Sequence, residues 1–599
     1  MLTSIVAWSL RYRSLVLAAA AIVTILGAWR AVTMPRDVLP EIAPPYVEIQ
    51  TEALGLSPAE VEQLITVPLE ADLLHGVPFL RQIHSESVAG LSSVTLTFEP
   101  GTDLYVARQV VAERLTQAHA LPQVSKPPAM LQPLSSANRV LMVGMASERL
   151  SALELSVLAR WTIRPRLLSV PGVANVAIWG ERDRQLQVLV DPERLHAQGV
   201  SLQQIIETTG NALWVSPLTF LDASTPGTGG FIDTPNQRLG IQHVLPIVTP
   251  QQLSDVVLVT DPGSSAQRTI RLADVATVVE GHRPVIGDAV VDEGPGLMMV
   301  VEKFPSADVV EVTRGVEAAL AALEPGLAGV RIDEPVYRPA TYLEAATGGV
   351  GAALAVGAAL MALILVLLVG GWRPAVVGLA TALAAGGGGL LAVSLLGATL
   401  TSFLVTGLVL AEVVVVFGAV RSYEGAARRL RDAPPDARSA SAIVFDVAAE
   451  QHGPLLCVAV IAIAAGAPVL LIPGITGTIA AALIVPYLLA VAASLVVAVA
   501  VAPALSHLLL AGTTAPPRPS RAGAAVQAAA LRATGALIRH GAAIAGLSAC
   551  VALVATIVMG AVLSPRLATA PIPAFQEPQL MIALSGVPST SRDEMAPRW

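Results

Sequence analysis

Cysteine is nearly absent. Cys457 and Cys550 are the only two in 599 residues, and both sit in apolar stretches, so they read as thiols packed within a membrane and not as a disulfide. No CxxC or HExxH zinc spacing occurs, and the nine histidines are scattered, most of them as ordinary surface residues, without a ligand cluster. Charge is scarce as well. Asp, Glu, Lys and Arg make up 14% of the chain, where a soluble globular protein carries about one quarter. Aromatic residues account for only 4%, so the 54% hydrophobic content is mainly Ala, Val, Leu and Ile, and the mean hydropathy is +0.65. These shortages exclude a disordered tail protein, a disulfide scaffold and an ordinary cytosolic enzyme. They leave a chain with several membrane spans, and its length suggests three or four structural units.

The charge that is present is unevenly placed. Between Arg36 and Glu344 lie 36 acidic residues against 21 basic ones, a net of −15, while the whole chain is −8. The remainder is therefore +7. No basic patch of the kind that binds nucleic acid is present. The acidic block could concentrate cations by its field, or it could simply be a solvated surface.

Apolar runs predict seven spans near 15–34, 346–369, 375–396, 400–420, 453–472, 477–511 and 541–563. The first has Arg11 and Arg13 before it and no clear cleavage site after it, so it reads as an uncleaved anchor. Arginines orient the set: Arg11, Arg13, Arg373, the group Arg421 to Arg438, and Arg518 to Arg539 all fall on one side, the cytoplasmic side by the positive-inside rule. Residues 36–344 and the tail after Ser564 then lie outside. The Ala-rich stretch Ala524–His540 reads as a helix, either on the inner membrane surface or as a solvated linker.

The outer block reads as two αβ subdomains. In the first, 36–137, a strand at Tyr46–Ala53 precedes Ser57-Pro58-Ala59-Glu60, a helix start with Ser as N-cap, Pro in the first turn and Glu three residues on. Strands near Leu80–Val88 and Ser92–Phe98, a helix from Asp103 and a strand near Ala129–Leu134 complete a β-α-β-β-α-β order, the split βαβ of a ferredoxin-like domain. In the second, 138–344, strands near Val140–Met145, Ala174–Trp179 and Gln185–Val190 flank a helix at Ala152–Leu168. Further strands near Val285–Val291, Gly296–Lys303 and Val330–Asp333 enclose a helix at Asp308–Leu323. A Gly-, Pro- and Thr-rich segment at about 214–262 looks inserted. The fold class is thus a membrane helical bundle of about seven spans with an α+β ectodomain. Its parts are an anchor at 1–35, spans two to four at 345–422, a cytoplasmic loop at 423–452 and spans five and six at 453–511. A linker or surface helix at 512–540, a seventh span at 541–563 and a further outer segment at 564–599 follow.

Specific motifs sharpen this. Pro35-Arg36-Asp37-Val38-Leu39-Pro40-Glu41-Ile42, Thr51 to Glu62, Phe98 to Leu115, Val170-Pro171-Gly172-Val173, Val190 to Leu195, and Glu450 with Gly453-Pro454 resemble motifs of the resistance-nodulation-division (RND) efflux permeases, in their heavy-metal cation branch. The resemblance covers nearly the whole chain. It implies a proton-driven secondary transporter, not an enzyme, exporting metal cations across an inner membrane with no cofactor. It also implies a homotrimer working with a periplasmic adaptor and an outer-membrane channel, with segment 214–262 as the docking element. Family members carry two such halves. Pro573-Ala574-Phe575-Gln576-Glu577 and Ser585-Gly586-Val587-Pro588 look like the start of a second outer block, so the chain reads as one half of the permease fold cut soon after its midpoint. A truncated or degenerate half-permease without transport, and a multidrug exporter, are the competing readings.

Glu412 is the most informative residue. It is the one charged group between Pro374 and Val420, near the centre of a span where insertion scales assign an ionisable side chain about 2.5–3.5 kcal/mol. A carboxyl there can alternate between neutral and ionised forms, which a proton relay requires; the alternative is a protonated Glu packed against a neighbouring helix. By the resemblance, Glu412 occupies the position of the relay Asp, while the family's second acid and its Asn fall on Ala419 and Val420. Methionine thioethers suit soft cations, which makes Met298, Met299 and Met361 candidate metal ligands. Core packing explains Met298 and Met299, and equally Met130, Met142 and Met145. Gly386–Gly389 lies in a span and lacks a following Lys-Ser/Thr, so it reads as a close helix contact and not a phosphate loop.

Overall fold

The computed structural model describes residues 2–38, 44–117, 127–212, 231–240, 247–258, 269–432, 439–472, 474–510, 521–539, 541–563 and 581–584, a few single positions aside. Leu39-Pro40-Glu41-Ile42, most of the 214–262 segment, Pro573–Glu577 and nearly all of Ser585–Pro588 lie outside these described residues.

Thirteen strands are described: β1 Tyr46–Glu52, β2 Leu80–Val88, β3 Leu91–Phe98, β4 Ala129–Met130, β5 Arg139–Ser147, β6 Val173–Trp179, β7 Arg184–Val190, β8 Phe231–Asp233, β9 Arg238–Gly240, β10 Ala276–His282, β11 Val290–Val291, β12 Gly294–Lys303 and β13 Val330–Ile332. The first αβ unit has strand order β2-β3-β1-β4, antiparallel throughout. Its origin is plain in the sequence. Side chains alternate across a strand, and β1 buries Val47, Ile49 and Thr51 while β3 buries Ser92, Val94, Leu96 and Phe98. The helical segments Pro58–Val61, Glu62–Thr66 and Val67–Leu74 follow one another and cover that face with Ile65, Leu69 and Leu73; the helix Leu104–Gln117 adds Ala107 and Val111. The expected helix start is a capping box: Ser57 Oγ accepts from the Glu60 N–H at 3.4 Å, and the Glu60 carboxylate accepts from the Ser57 N–H at 2.8 Å.

The second unit repeats the arrangement. Its path is β13-β5-β12, with β6 on the far side of β12 and β11 as a short addition at the same edge. The core holds Leu141, Val143, Met145, Leu155, Ile163, Leu297, Met299, Val301 and Val316. One expectation fails here. Gln185–Val190 does not flank the helix at 152–168. As part of β7 it pairs over its full length with β10, a strand the sequence reading missed. Around this two-stranded sheet Ile205, Leu253, Leu258, Leu272 and Val275 form a separate core. The interruption between β6 and β12 therefore begins well before residue 214 and ends after residue 262. Strand alternation identifies a strand but not its partner, and the partner of β7 lies some ninety residues away. The stretch Val285–Val291 contributes only the two residues of β11.

Among the described residues eight helices have 19 residues or more: α1 Arg13–Thr33, α2 Pro339–Leu365, α3 Trp372–Leu395, α4 Ser402–Asp432, α5 Ala440–Gly466, α6 Gly474–Leu510, α7 Arg521–Arg539 and α8 Gly541–Leu563. Among the described residues six helices are long and apolar enough to cross a bilayer: α1, α2 with its continuation to Val369, α3, α4, α5 with its continuation to Leu471, and α6. The helix α6 packs against α1, α3, α4 and α5 at the centre of the bundle. Close approach rests on glycines, as the Gly386–Gly389 reading anticipates. A Cβ on Gly27 of α1 would sit 2.5 Å from the Cα of Gly387 in α3, and one on Gly389 would sit 3.1 Å from Ala490 of α6.

The segment 423–452 is not mainly a loop. Helix α4 runs to Asp432 and α5 begins at Ala440. Arg428 pairs with Glu424 one turn earlier at 3.1 Å, and Arg429 pairs with Glu450 across the two helices. Hydropathy marks where the apolar surface ends, whereas such pairs let a helix continue past that point. Cys457 and Cys550 are free thiols on exposed faces of α5 and α8. His452 and His507 are buried.

Candidate functional site

Glu412 lies ten residues into α4, about 15 Å along the helix axis at 1.5 Å per residue and so near the middle of a ~30 Å hydrocarbon layer. Its side chain is half-buried and leans over α3. A Cβ on Gly386 would lie 2.7 Å from Glu412 Oε1, so glycine at 386 leaves the room that the carboxyl occupies. Glu412 Oε2 is buried and has no hydrogen-bond partner among the described residues. The two protonation states of such a group make very different demands on their surroundings: the acid needs one acceptor, the carboxylate a counter-charge or water. The opposite side of Glu412 opens into a cleft of about 810 Å³ lined by Met361 and Leu365 of α2, by Val416, Phe417 and Val420, and farther along α4 by Arg421 and Arg428. Ala419, where the resemblance places a second acid, is fully buried against Val377, Tyr423 and Ala502, with no space for a carboxylate of its own.

The methionines separate by place. Met299 is completely buried in the second αβ core, opposite Val143 and Ile178. Met298 is next to it on β12, on the other face, between Gly144 and Trp179. Only Met361 shares a cavity with Glu412. Among the described residues no cluster of three His, Cys, Asp or Glu side chains could hold a metal ion. The acids that line the cleft between the two αβ units are paired with arginines. In the 520 Å³ cleft between the two αβ units, Arg283 donates to Glu52 at 2.6 Å and pairs with Asp183, Arg160 pairs with Glu181 and Asp183, and Arg182 pairs with Asp288. The Arg283–Glu52 pair links the two units, and together the pairs leave little bare negative charge facing the cleft.

Sequence reasoning missed the junction between ectodomain and bundle. The backbone of residues 35–37 is clamped on two sides. Leu400, two residues before α4, donates its N–H to Pro35 O at 2.8 Å and accepts from the Asp37 N–H at 3.1 Å. On the other side the Val309 N–H donates to Arg36 O at 3.1 Å. Side chains reinforce this: Arg36 Nε donates to Asp308 Oδ2 at 2.8 Å, and Lys303 Nζ lies 2.8 Å from Asp37 Oδ2. Lys303 is 0% exposed and donates also to the Pro305 carbonyl at 3.3 Å. Asp308 caps the helix Val309–Leu323. Burial opposes its ionisation, but the Arg36 guanidinium and the backbone N–H groups of Glu311 and Arg36 outweigh that and hold its carboxyl below the ordinary 3.8. The start of the Glu412 helix is thus tied to the edge of the second αβ unit. A signal was available: Lys303 is one of only two lysines in the chain, and with Glu302 it ends the apolar run Leu297–Val301.

A helical bundle with two split-βαβ units inserted after its first helix defines a polytopic membrane protein of transporter type. The sequence model of the AcrB/AcrD/AcrF family matches residues 5–598, and the chain belongs to that family, the RND permeases. Protein HelA of Legionella pneumophila is 29% identical over 389 residues, covering 63% of this chain and 35% of HelA. The cobalt-zinc-cadmium resistance protein CzcA of Cupriavidus metallidurans is 26% identical over 388 residues, with the same coverage of each. The cation efflux system protein CusA of Escherichia coli K12 is 30% identical over 232 residues, 38% of this chain and 21% of CusA. A solved structure described as the X-ray crystal structure of a heavy metal efflux pump, crystal form I, superposes with a TM-score of 0.68 at 23% identity, covering 84% of this chain and 48% of that one, which shows the shared fold. The chain spans about a third of the length of HelA and CzcA and about half of the pump of known structure.

Proposed function

We propose that the chain is a permease subunit of a proton-driven RND exporter of heavy-metal cations, with Glu412 as its proton carrier. The single observation that carries this is the position of Glu412: mid-helix, over a glycine, with one carboxylate oxygen buried and unpartnered and the other side of the residue facing a cleft. Protonation from one side and release to the other would make α4 alternate between a neutral and a charged state, and the junction at residues 35–37 would pass that change to the second αβ unit. The arginine distribution supports a cytoplasmic N-terminus and an outer 36–344 block. The 23 uncharged, mainly apolar residues of α8 would make a seventh span. The names of the relatives support metal cations as substrate, and the family supports a homotrimer with an adaptor and an outer channel, in which the β7–β10 insert would dock the neighbouring subunit.

The test is cellular metal content. Cells expressing the chain should accumulate less cobalt, zinc, cadmium, nickel or copper than vector controls, and Glu412→Gln should restore accumulation. Contents equal to the vector for every cation, with no effect of the variant, would favour the reading in which the chain binds or assembles without transporting.

A further inference from the structure

We propose that the chain holds an anionic phospholipid in the cavity between the end of α4 and helix α7, with the lipid phosphate on Arg428 and Arg431. The cavity measures about 310 Å³. One wall is α4, through Tyr423, Arg428 and Arg431; the other is α7, through Val526 and Gln527; Leu368, just beyond α2, closes it on the membrane side. Arg428 shares its charge with Glu424 at 3.1 Å, whereas Arg431 is half-buried and has no ion-pair partner among the described residues. Arg373 adds a third positive charge close to the Tyr423 hydroxyl. The cavity therefore carries more positive than negative charge, which suits a phosphodiester.

Its level fits a headgroup. Trp372, 61% exposed with the Arg373 guanidinium 5.9 Å from its ring centroid, sits where α2 ends and α3 begins, and exposed tryptophans of this kind mark the membrane–water boundary. From there an exposed apolar strip of Leu360, Leu363, Ile364 and Leu367 runs along α2 away from the cavity. A phosphate on the arginines would leave acyl chains along that strip. Arginines near a membrane surface attract anionic lipid, so two of them distinguish an anionic lipid from a zwitterionic one. The inference rests on the reading of α2 to α4 as spans but not on export.

The experiment uses the full 599-residue chain purified in neutral detergent, with phosphatidylglycerol, phosphatidylcholine and inorganic phosphate as separate probes and native mass spectrometry as the readout. Phosphatidylglycerol should be retained at least about tenfold more tightly than phosphatidylcholine, and millimolar phosphate should not displace it. Arg428→Gln/Arg431→Gln should erase the selectivity, and Gln527→Glu, which leaves both arginines in place and sets a negative charge in the facing wall, should weaken it. Equal retention of the two lipids, selectivity unchanged in both variants, or displacement by inorganic phosphate alone would overturn the proposal. Because no transport is measured, a chain that fails to export still gives a clear answer here, and a chain that exports but lacks selectivity refutes only the lipid site.

Discussion

Removing either partner of the Lys303–Asp37 pair should loosen the junction far more than removing both. At 2.8 Å the two charges attract by about 6 kcal/mol at an effective dielectric near 20. Burying them costs several kcal/mol in lost hydration, so the pair as a whole contributes little net stability. A single loss is different, because it leaves an uncompensated charge inside. With Lys303 0% exposed and the Asp37 side chain 13% exposed, Asp37→Asn and Lys303→Met should each cost about 3–5 kcal/mol. The double variant should cost less than either single, about 1–2 kcal/mol, so the two single costs should fail to add by several kcal/mol. Pulse proteolysis in urea, read on the full chain in detergent, reports this as a shift of the midpoint. For a slope near ~2 kcal/mol/M each single variant should lower it by about 1.5–2.5 M, and the double by only about 0.5–1 M. Single shifts below about 0.3 M, or shifts that simply add, would refute the claim that this pair is a closed electrostatic unit.

Asp308→Asn should cost about 1–3 kcal/mol by removing a charged hydrogen-bond acceptor. Since the folded state holds Asp308 below its ordinary 3.8, its contribution is present above that value and is lost as pH falls through the lower folded value. The gap between wild type and variant should hold from pH 8 to pH 5 and close only below about pH 4 in unfolding titrations; a gap that closes between pH 5 and 7 would contradict the Arg36 assignment. Gly27→Ala puts a methyl group 2.5 Å from the Gly387 backbone and should destabilise the bundle by about 1–3 kcal/mol, while Gly351→Ala, with nothing within 4 Å, should not; equal thermal stability of the two in detergent would argue against the tight contact of α1 with α3. Met299→Ala should cost about 2–5 kcal/mol of stability as a core truncation and leave copper or silver binding unchanged, and an altered metal stoichiometry would make it a ligand after all.

Legibility followed the range of the interaction. The Ser57 capping box spans three residues and was readable from its spacing, as was the period of β1 and β3, where the alternation of apolar residues decides the buried face. Glu412 was readable because a lone charge in an apolar run has no bland surface explanation. Its dependence on Gly386 was not, because the glycine run looks the same whether it admits a helix or a carboxyl. The partner of β7 and the ions around Asp37 were hidden for a common reason: Val190 meets Ala276, and Asp37 meets Lys303, only after the chain has folded back across long separations. The helical extension of α4 beyond Val420 was missed because its stabilising charges are the same residues that mark the end of a hydrophobic span.

The central claim is that Glu412 carries the proton that drives export. Its most direct test is proton movement in sealed vesicles containing the chain, followed with a pH-sensitive dye when a divalent metal is added on the side from which it is exported. Wild type should show metal-triggered proton flux opposite to the metal, Glu412→Gln should show none, and Glu412→Asp should recover part of it. Metal-dependent proton flux that survives in Glu412→Gln would contradict the account.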